Sequence, residues 1–125
     1  MIRPYQWALV YVDLSPTIGS EQGGRRPVLI VSDEPFNQAM PMLTVLPLSS
    51  TRRRLYPAEV SLKKDVAGQP QDSIVMAHQV RAISKQRVTN FVGYLADVSL
   101  RHEVQQALRD HFDLASPPPN QVLTP

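Results

Sequence analysis

The chain reads as one small, mostly β domain that ends in a single amphipathic helix. Its apolar stretches are short, rich in Val, Ile, Leu and aromatic residues, and interrupted by Gly, Pro, Ser and Asp, which favours antiparallel strands over helices. Only from Asp97 onward does the apolar period change from two to 3.6, so the one long helix belongs at the C-terminal end. With 125 residues the chain can bury one real core but not two.

The elements follow in order. Trp7 to Val12 is a six-residue run of aromatic and β-branched character, bounded by Asp13 and by Ser15-Pro16, and its length marks a strand. Val28 to Ser32 is a short buried strand. Ser32-Asp33 with Pro35 then supplies the cap and first-turn chemistry of a helix that runs for one turn at most, through Phe36 to Ala39. Met42 to Leu48 is the third strand, and Pro47 within it predicts an edge position or a bulge, leaving Ser49 and Ser50 at the strand's end. Ala58 to Leu62 alternates as a half-exposed strand should, Lys63 to Gln71 is a loop, and Ser73 to Ala77 is a buried strand. Ser84 can cap a single turn through Arg87. Phe91 to Leu95 is the last strand, with Gly93 marking a bend or a close backbone crossing. Leu100, Val104, Ala107, Leu108 and Phe112 recur at helical spacing behind a cap at Asp97 or Ser99. Residues 115–125, with Pro117-Pro118-Pro119, carry too little apolar surface to offset the entropy of ordering and read as a disordered tail behind a domain of residues 1–114.

Composition narrows the function classes. The absence of cysteine removes disulfide frameworks and thiolate metal sites, and it suits a reducing cytoplasm. No apolar run approaches the roughly 20 residues of a membrane helix, and Met1-Ile2-Arg3-Pro4 opens no signal core, so a soluble cytoplasmic protein is expected. His78, His102 and His111 lack ligand spacing, and no metal is expected. The net charge is +2, yet residues 1–96 hold 11 Lys/Arg against 7 Asp/Glu, while residues 97–125 hold 2 against 4. The basic excess lies on the body, which permits a polyanion partner without requiring one.

Two stretches carry candidate chemistry. Gly19 to Pro27 concentrates three of the five glycines ahead of a strand, and Pro27 biases Arg26 toward extended geometry. An ordinary hairpin loop with solvated arginines would look the same. Ser49-Ser50-Thr51 followed by Arg52-Arg53-Arg54 is either a polar turn and a solvated loop, or a hydroxyl and guanidinium set suited to phosphate oxygens.

The order Asp13-Leu14-Ser15-Pro16-Thr17-x-Gly19-Ser20-Glu21-Gln22-Gly23-Gly24-x-Arg26-Pro27 closely resembles the signature of the MazF/PemK family of toxin endoribonucleases. The resemblance resumes at Gln79-Val80-Arg81-Ala82-Ile83-Ser84-Lys85-Gln86-Arg87 and covers about residues 7 to 114. Tyr5-Gln6 stands where the family has a Gly-Asp pair, and His78 stands where it usually has an acidic residue. The resemblance implies an SH3-like barrel with a C-terminal helix, a homodimer, a groove for single-stranded RNA, an antitoxin partner of the MazE type, and cleavage without metal or cofactor. In that reaction the ribose 2′-hydroxyl attacks the phosphate, leaving a cyclic phosphate and a free 5′-hydroxyl.

It also assigns roles. Arg26 would be the cation at the phosphate, Ser49 a hydroxyl contact in place of the family's commoner threonine, and Glu21 a supporting acidic group. Contacts to RNA would come from Ser20, Gln22, Gly24 and Arg25 in the first stretch, from Ser50, Arg52 and Arg53 in the second, and from Gln79 and Arg81 beyond the fifth strand. His78 is either a hydrogen-bonded structural residue or the general acid or base, since an unperturbed imidazole exchanges protons near neutrality. Arg81 is equally readable as a structural arginine. Two other functions share this barrel type: poisoning of DNA gyrase, as in the CcdB group, and plain nucleic-acid binding.

Overall fold

A computed structural model describes residues 3–14 and 24–114. The elements are β1 (Ala8–Asp13), β2 (Arg25–Ile30), α1 (Glu34–Ala39), β3 (Met42–Ser49), β4 (Glu59–Leu62), β5 (Ser73–Met76), β6 (Arg81–Ser84), β7 (Val88–Tyr94) and α2 (Val98–His111), with single 3-10 turns at Ala77–Gln79 and Lys85–Arg87. The seven strands form an antiparallel sheet in the order β4-β5-β3-β2-β1-β7, with β6 attached to β3.

Strand β3 is the axis of this arrangement. One edge pairs with β2 through Val45, Leu46 and Pro47. On the other edge Met42 to Val45 pair with β6, and Leu48 and Ser49 pair with β5. Leu46 and Pro47 occupy the gap between those two partners, so the residue that cannot donate to a ladder stands where the ladder already changes hands. The break expected at Pro47 is therefore present, and Ser49 ends the strand.

Both faces of the central strands are buried, as the unbroken apolar runs Ala8 to Val12 and Val28 to Ile30 require, so a chain expected to hold one core packs two apolar clusters. Trp7, Leu9, Leu29, Leu46 and Leu48 enter one core with Val60, Leu62 and Val75, and α2 covers it with Val104 and Ala107. Ala8, Val10, Val12, Val28 and Ile30 enter the other with Leu43, Val45 and Ile83. The outermost strands of the path, β4 and β7, are not hydrogen-bonded to each other, but the β4–β5 loop lies across β7. A Cβ on Gly93 would stand 2.4 Å from the Ala67 carbonyl oxygen, and one on Gly68 2.9 Å from that of Val92. The close crossing expected at Gly93 thus joins the two ends of a small, barrel-like sheet.

Several boundaries differ from the sequence reading. β1 starts at Ala8 because Trp7 adopts φ +68°, outside strand geometry. β2 starts at Arg25, so both arginines and Pro27 are strand residues opposite Asp13, Val12 and Tyr11. β6 was not anticipated, and its Arg81 to Ser84 pair with Val45 to Met42. Asp97 caps α2 by accepting from the Leu100 amide at 3.1 Å, as expected. Phe112, assigned to the apolar helix face, is instead 53% exposed at the helix end. The tail expected beyond residue 114 lies outside the described residues.

Candidate active site

Register brings the two best candidates together. Val28 faces Pro47 across β2 and β3, and continuing that count sets Arg26 level with Ser49 just past the end of the paired segment. Both line one recess of about 160 Å³, walled by Tyr11, Pro27, Leu48 and Ser73 from the strands and by Ser50, Gln69 and Gln71 from the adjoining loops. Ser49 is nearly buried, and its Oγ accepts from the Thr51 amide at 3.2 Å. That bond fixes the hydroxyl oxygen while leaving its proton to donate.

Around the recess the other predicted residues divide. Ser50 and Arg52 are exposed and line two further shallow recesses that adjoin the first, of about 330 and 320 Å³. Gly24 adopts φ +73° at the entrance to β2, and its carbonyl accepts from the Leu14 amide. Arg25 is exposed, donates to Asn90 Oδ1 at 2.8 Å and lies over the Tyr11 ring, so it braces the wall that Tyr11 supplies. Ser20, Glu21 and Gln22 lie outside the described residues.

Arg53 lines the first of the two further recesses with its guanidinium already engaged, and His78 lines none of the three. Arg53 forks both terminal nitrogens onto Glu59 at 2.8 Å and stacks over Tyr56, whose amide also donates to Glu59. His78 Nε2 sits 2.8 Å from the second Glu59 oxygen. The Glu59 side chain is fully covered. Two Arg53 hydrogen bonds hold its carboxyl down to about 2 against desolvation, which raises it, with further help from His78 and the Tyr56 amide. At neutral pH Glu59 is therefore a carboxylate that only accepts, so His78 Nε2 carries a proton and donates it. His78, Gln79 and Arg81 do not line the Arg26 and Ser49 recess. His78 and Gln79 belong to the 3-10 turn after β5, and Arg81 opens β6 opposite Val45.

Sequence reasoning missed Glu59, because alternation in Ala58 to Leu62 places it on the outward face, and only the folded 50–58 loop covers that face. It also missed Tyr11, Gln69 and Gln71. Gln69 is buried, accepts from the Ala67 amide and donates to the Lys63 carbonyl, so it shapes the loop behind the recess. Among the described residues no group of three or more His, Asp or Glu side chains is placed to hold a metal, and no helix is long and apolar enough to cross a membrane.

A guanidinium and a fixed serine hydroxyl thus share one recess on a small β domain with further cationic side chains alongside, a set of donors whose chemistry suits phosphate oxygens. The chain belongs to the PemK-like, MazF-like toxins of type II toxin–antitoxin systems, whose family model matches residues 5–112. It is similar to endoribonuclease EndoA of Bacillus subtilis, 34% identical over 100 residues that make up 79% of this chain and 85% of that one. It is similar also to endoribonuclease MazF9 of Mycobacterium tuberculosis, 33% identical over 84% of this chain and 92% of that protein. Among solved structures it resembles MazF in a MazE–MazF crystal from Deinococcus radiodurans, with a TM-score of 0.69, 27% identity, and coverage of 90% of this chain and 97% of that chain.

Proposed function

We propose that this chain is the toxin of a type II pair and an endoribonuclease that cuts single-stranded messenger RNA with its own side chains. The observation that carries the reading is the meeting of Arg26 and Ser49 in one recess at the ends of β2 and β3. There the ribose 2′-hydroxyl attacks the adjacent phosphorus. The P–O5′ bond breaks, and the products are a 2′,3′-cyclic phosphate and a 5′-hydroxyl. Arg26 stabilises the charge that develops on the phosphoryl oxygens, and Ser49 Oγ donates to one of them. Glu21 is the candidate acidic group of the β1–β2 connection, and Ser50 and Arg52 extend the groove for the flanking nucleotides. His78 acts outside this chemistry, in the Glu59 cluster.

Family membership and the MazE–MazF neighbour support an antitoxin partner. We assign this chain a cytoplasmic site of action, since messenger RNA is there, and a homodimer as its working form. The test is incubation of the purified protein with a long RNA in excess EDTA, followed by separation of the fragments and analysis of their ends. Discrete fragments ending in cyclic phosphate are expected. Activity abolished by EDTA and restored by one divalent ion would overturn the mechanism, and binding without cleavage would return the chain to the class of nucleic-acid-binding barrels.

A further inference from the structure

We propose that Asp72 reads a base in the bound strand and selects against uracil, an inference that rests on the ribonuclease reading above. The two recesses that adjoin the catalytic one meet at Asp72, which lines both of them together with Ser50 and Arg52. Ser50 and Ser73 carry the first of these directly on from the Arg26 and Ser49 recess, so Asp72 stands beside the path of the nucleotides next to the scissile phosphate.

Everything else charged along this path is cationic: Arg26, Arg52 and Arg53, and Lys64 in the third recess. A carboxylate there opposes phosphate binding, so its contribution must come from a group that donates hydrogen bonds. Asp72 is also held in place. Oδ1 accepts from the Lys64 amide at 2.8 Å, which fixes the side chain across the β4–β5 loop, while Oδ2 has no protein partner among the described residues. A carboxylate held beside a single strand, with one oxygen open to solvent, matches the exocyclic amino groups of cytosine, adenine or guanine. Uracil offers only N3–H, set between two carbonyl oxygens that a carboxylate repels.

Asp72→Asn separates the two roles, because its amide oxygen can still accept from the Lys64 N–H while an NH2 donor replaces Oδ2. Wild type and variant are each incubated with a random-sequence single-stranded RNA pool, and the cut ends are sequenced. Wild type is expected to disfavour uracil roughly 10-fold at one fixed offset from the cut. The variant should lose or invert the preference at that offset alone. Identical profiles for the two proteins overturn the proposal. Affinities for 2′-O-methyl oligocytidine and oligouridine, which cannot be cut, give a second measurement. Tighter binding of oligocytidine by wild type, lost in Asp72→Asn, supports it, and equal affinities overturn it. Should wild type cut no RNA, the ribonuclease reading fails on that result, while the binding comparison still decides the role of Asp72.

Discussion

Arg26 and Ser49 are held by different means, and the difference sets what their removal does. Arg26 reaches the recess from a strand paired to β1 on one side, while Ser49 is fixed by the Thr51 amide and nearly buried. Arg26→Ala should lower RNA cleavage by about 100-fold or more and leave thermal unfolding within a few degrees of wild type. Ser49→Ala should show a similar loss of rate with a cost of about 1 kcal/mol from the orphaned Thr51 amide. Wild-type rates in either variant would remove that residue from the chemistry. His78 leads to the opposite expectation. Because Nε2 donates to Glu59, His78→Gln retains a donor and should cut RNA at close to the wild-type rate from pH 6 to 8, whereas His78→Leu should lower the melting temperature. Loss of one limb of the pH–rate profile in His78→Gln would restore the imidazole to the mechanism.

At the scale of elements, the 50–58 connection is fastened to β4 by one carboxylate. Glu59 receives Arg53 through two bonds, His78 through one and the Tyr56 amide through another, and so ties that loop to β4 and to the turn after β5. Its carboxyl is held down to about 2 by these partners, Arg53 foremost, from an ordinary value of 4.5. A group with a depressed folded value stabilises the fold above its unfolded value and loses that contribution as pH falls through the folded one. Stability from Glu59 should thus be complete above about pH 4.5 and fade between about 4.5 and 2. Glu59→Gln should flatten that part of the stability curve and lower the melting temperature at pH 7 by roughly 5 °C, read by urea or thermal unfolding across pH. An unchanged acid limb would mean that other carboxylates dominate it. The same fastening keeps Arg52 beside the recess, so the variant should also bind RNA more weakly.

The whole molecule depends on the contact that joins its two ends. Gly93 in β7 and Gly68 in the β4–β5 loop let two backbones touch where a side chain would not fit. Gly93→Ala would place a methyl group against the Ala67 carbonyl at 2.4 Å, with backbone on both sides and no flexible side chain to move away. A loss of about 3 kcal/mol is expected, and a fall in melting temperature of order 10 °C. Gly24 is the control, since a Cβ there meets nothing and only its φ of +73° opposes substitution. Gly24→Ala should cost about 1 kcal/mol. Comparable melting temperatures for the two variants would show that the crossing is not what closes the sheet.

The sequence by itself determined the features that are local. The short apolar runs of β1 and β5, the 3.6 period of α2 with its Asp97 cap, the turn capped by Ser84, the partner change at Pro47 and the tight passage at Gly93 all follow from the preferences of a few adjacent residues, and each is present. Arg26 and Ser49 were legible as candidates because a glycine-rich approach to one strand and a hydroxyl at the end of another resemble a known family. Only the tertiary structure decided which residues share a site. The start of β2 at Arg25 and the strand at Arg81 depend on partners far along the chain, which local propensity does not encode. Three adjacent arginines look alike in sequence, yet the 50–58 loop turns Arg53 onto Glu59 and leaves Arg52 beside the recess. His78 likewise drew its role from a carboxylate 19 residues away, because hydrogen bonds and ion pairs act across space and a strand's alternation reports only which face a residue takes.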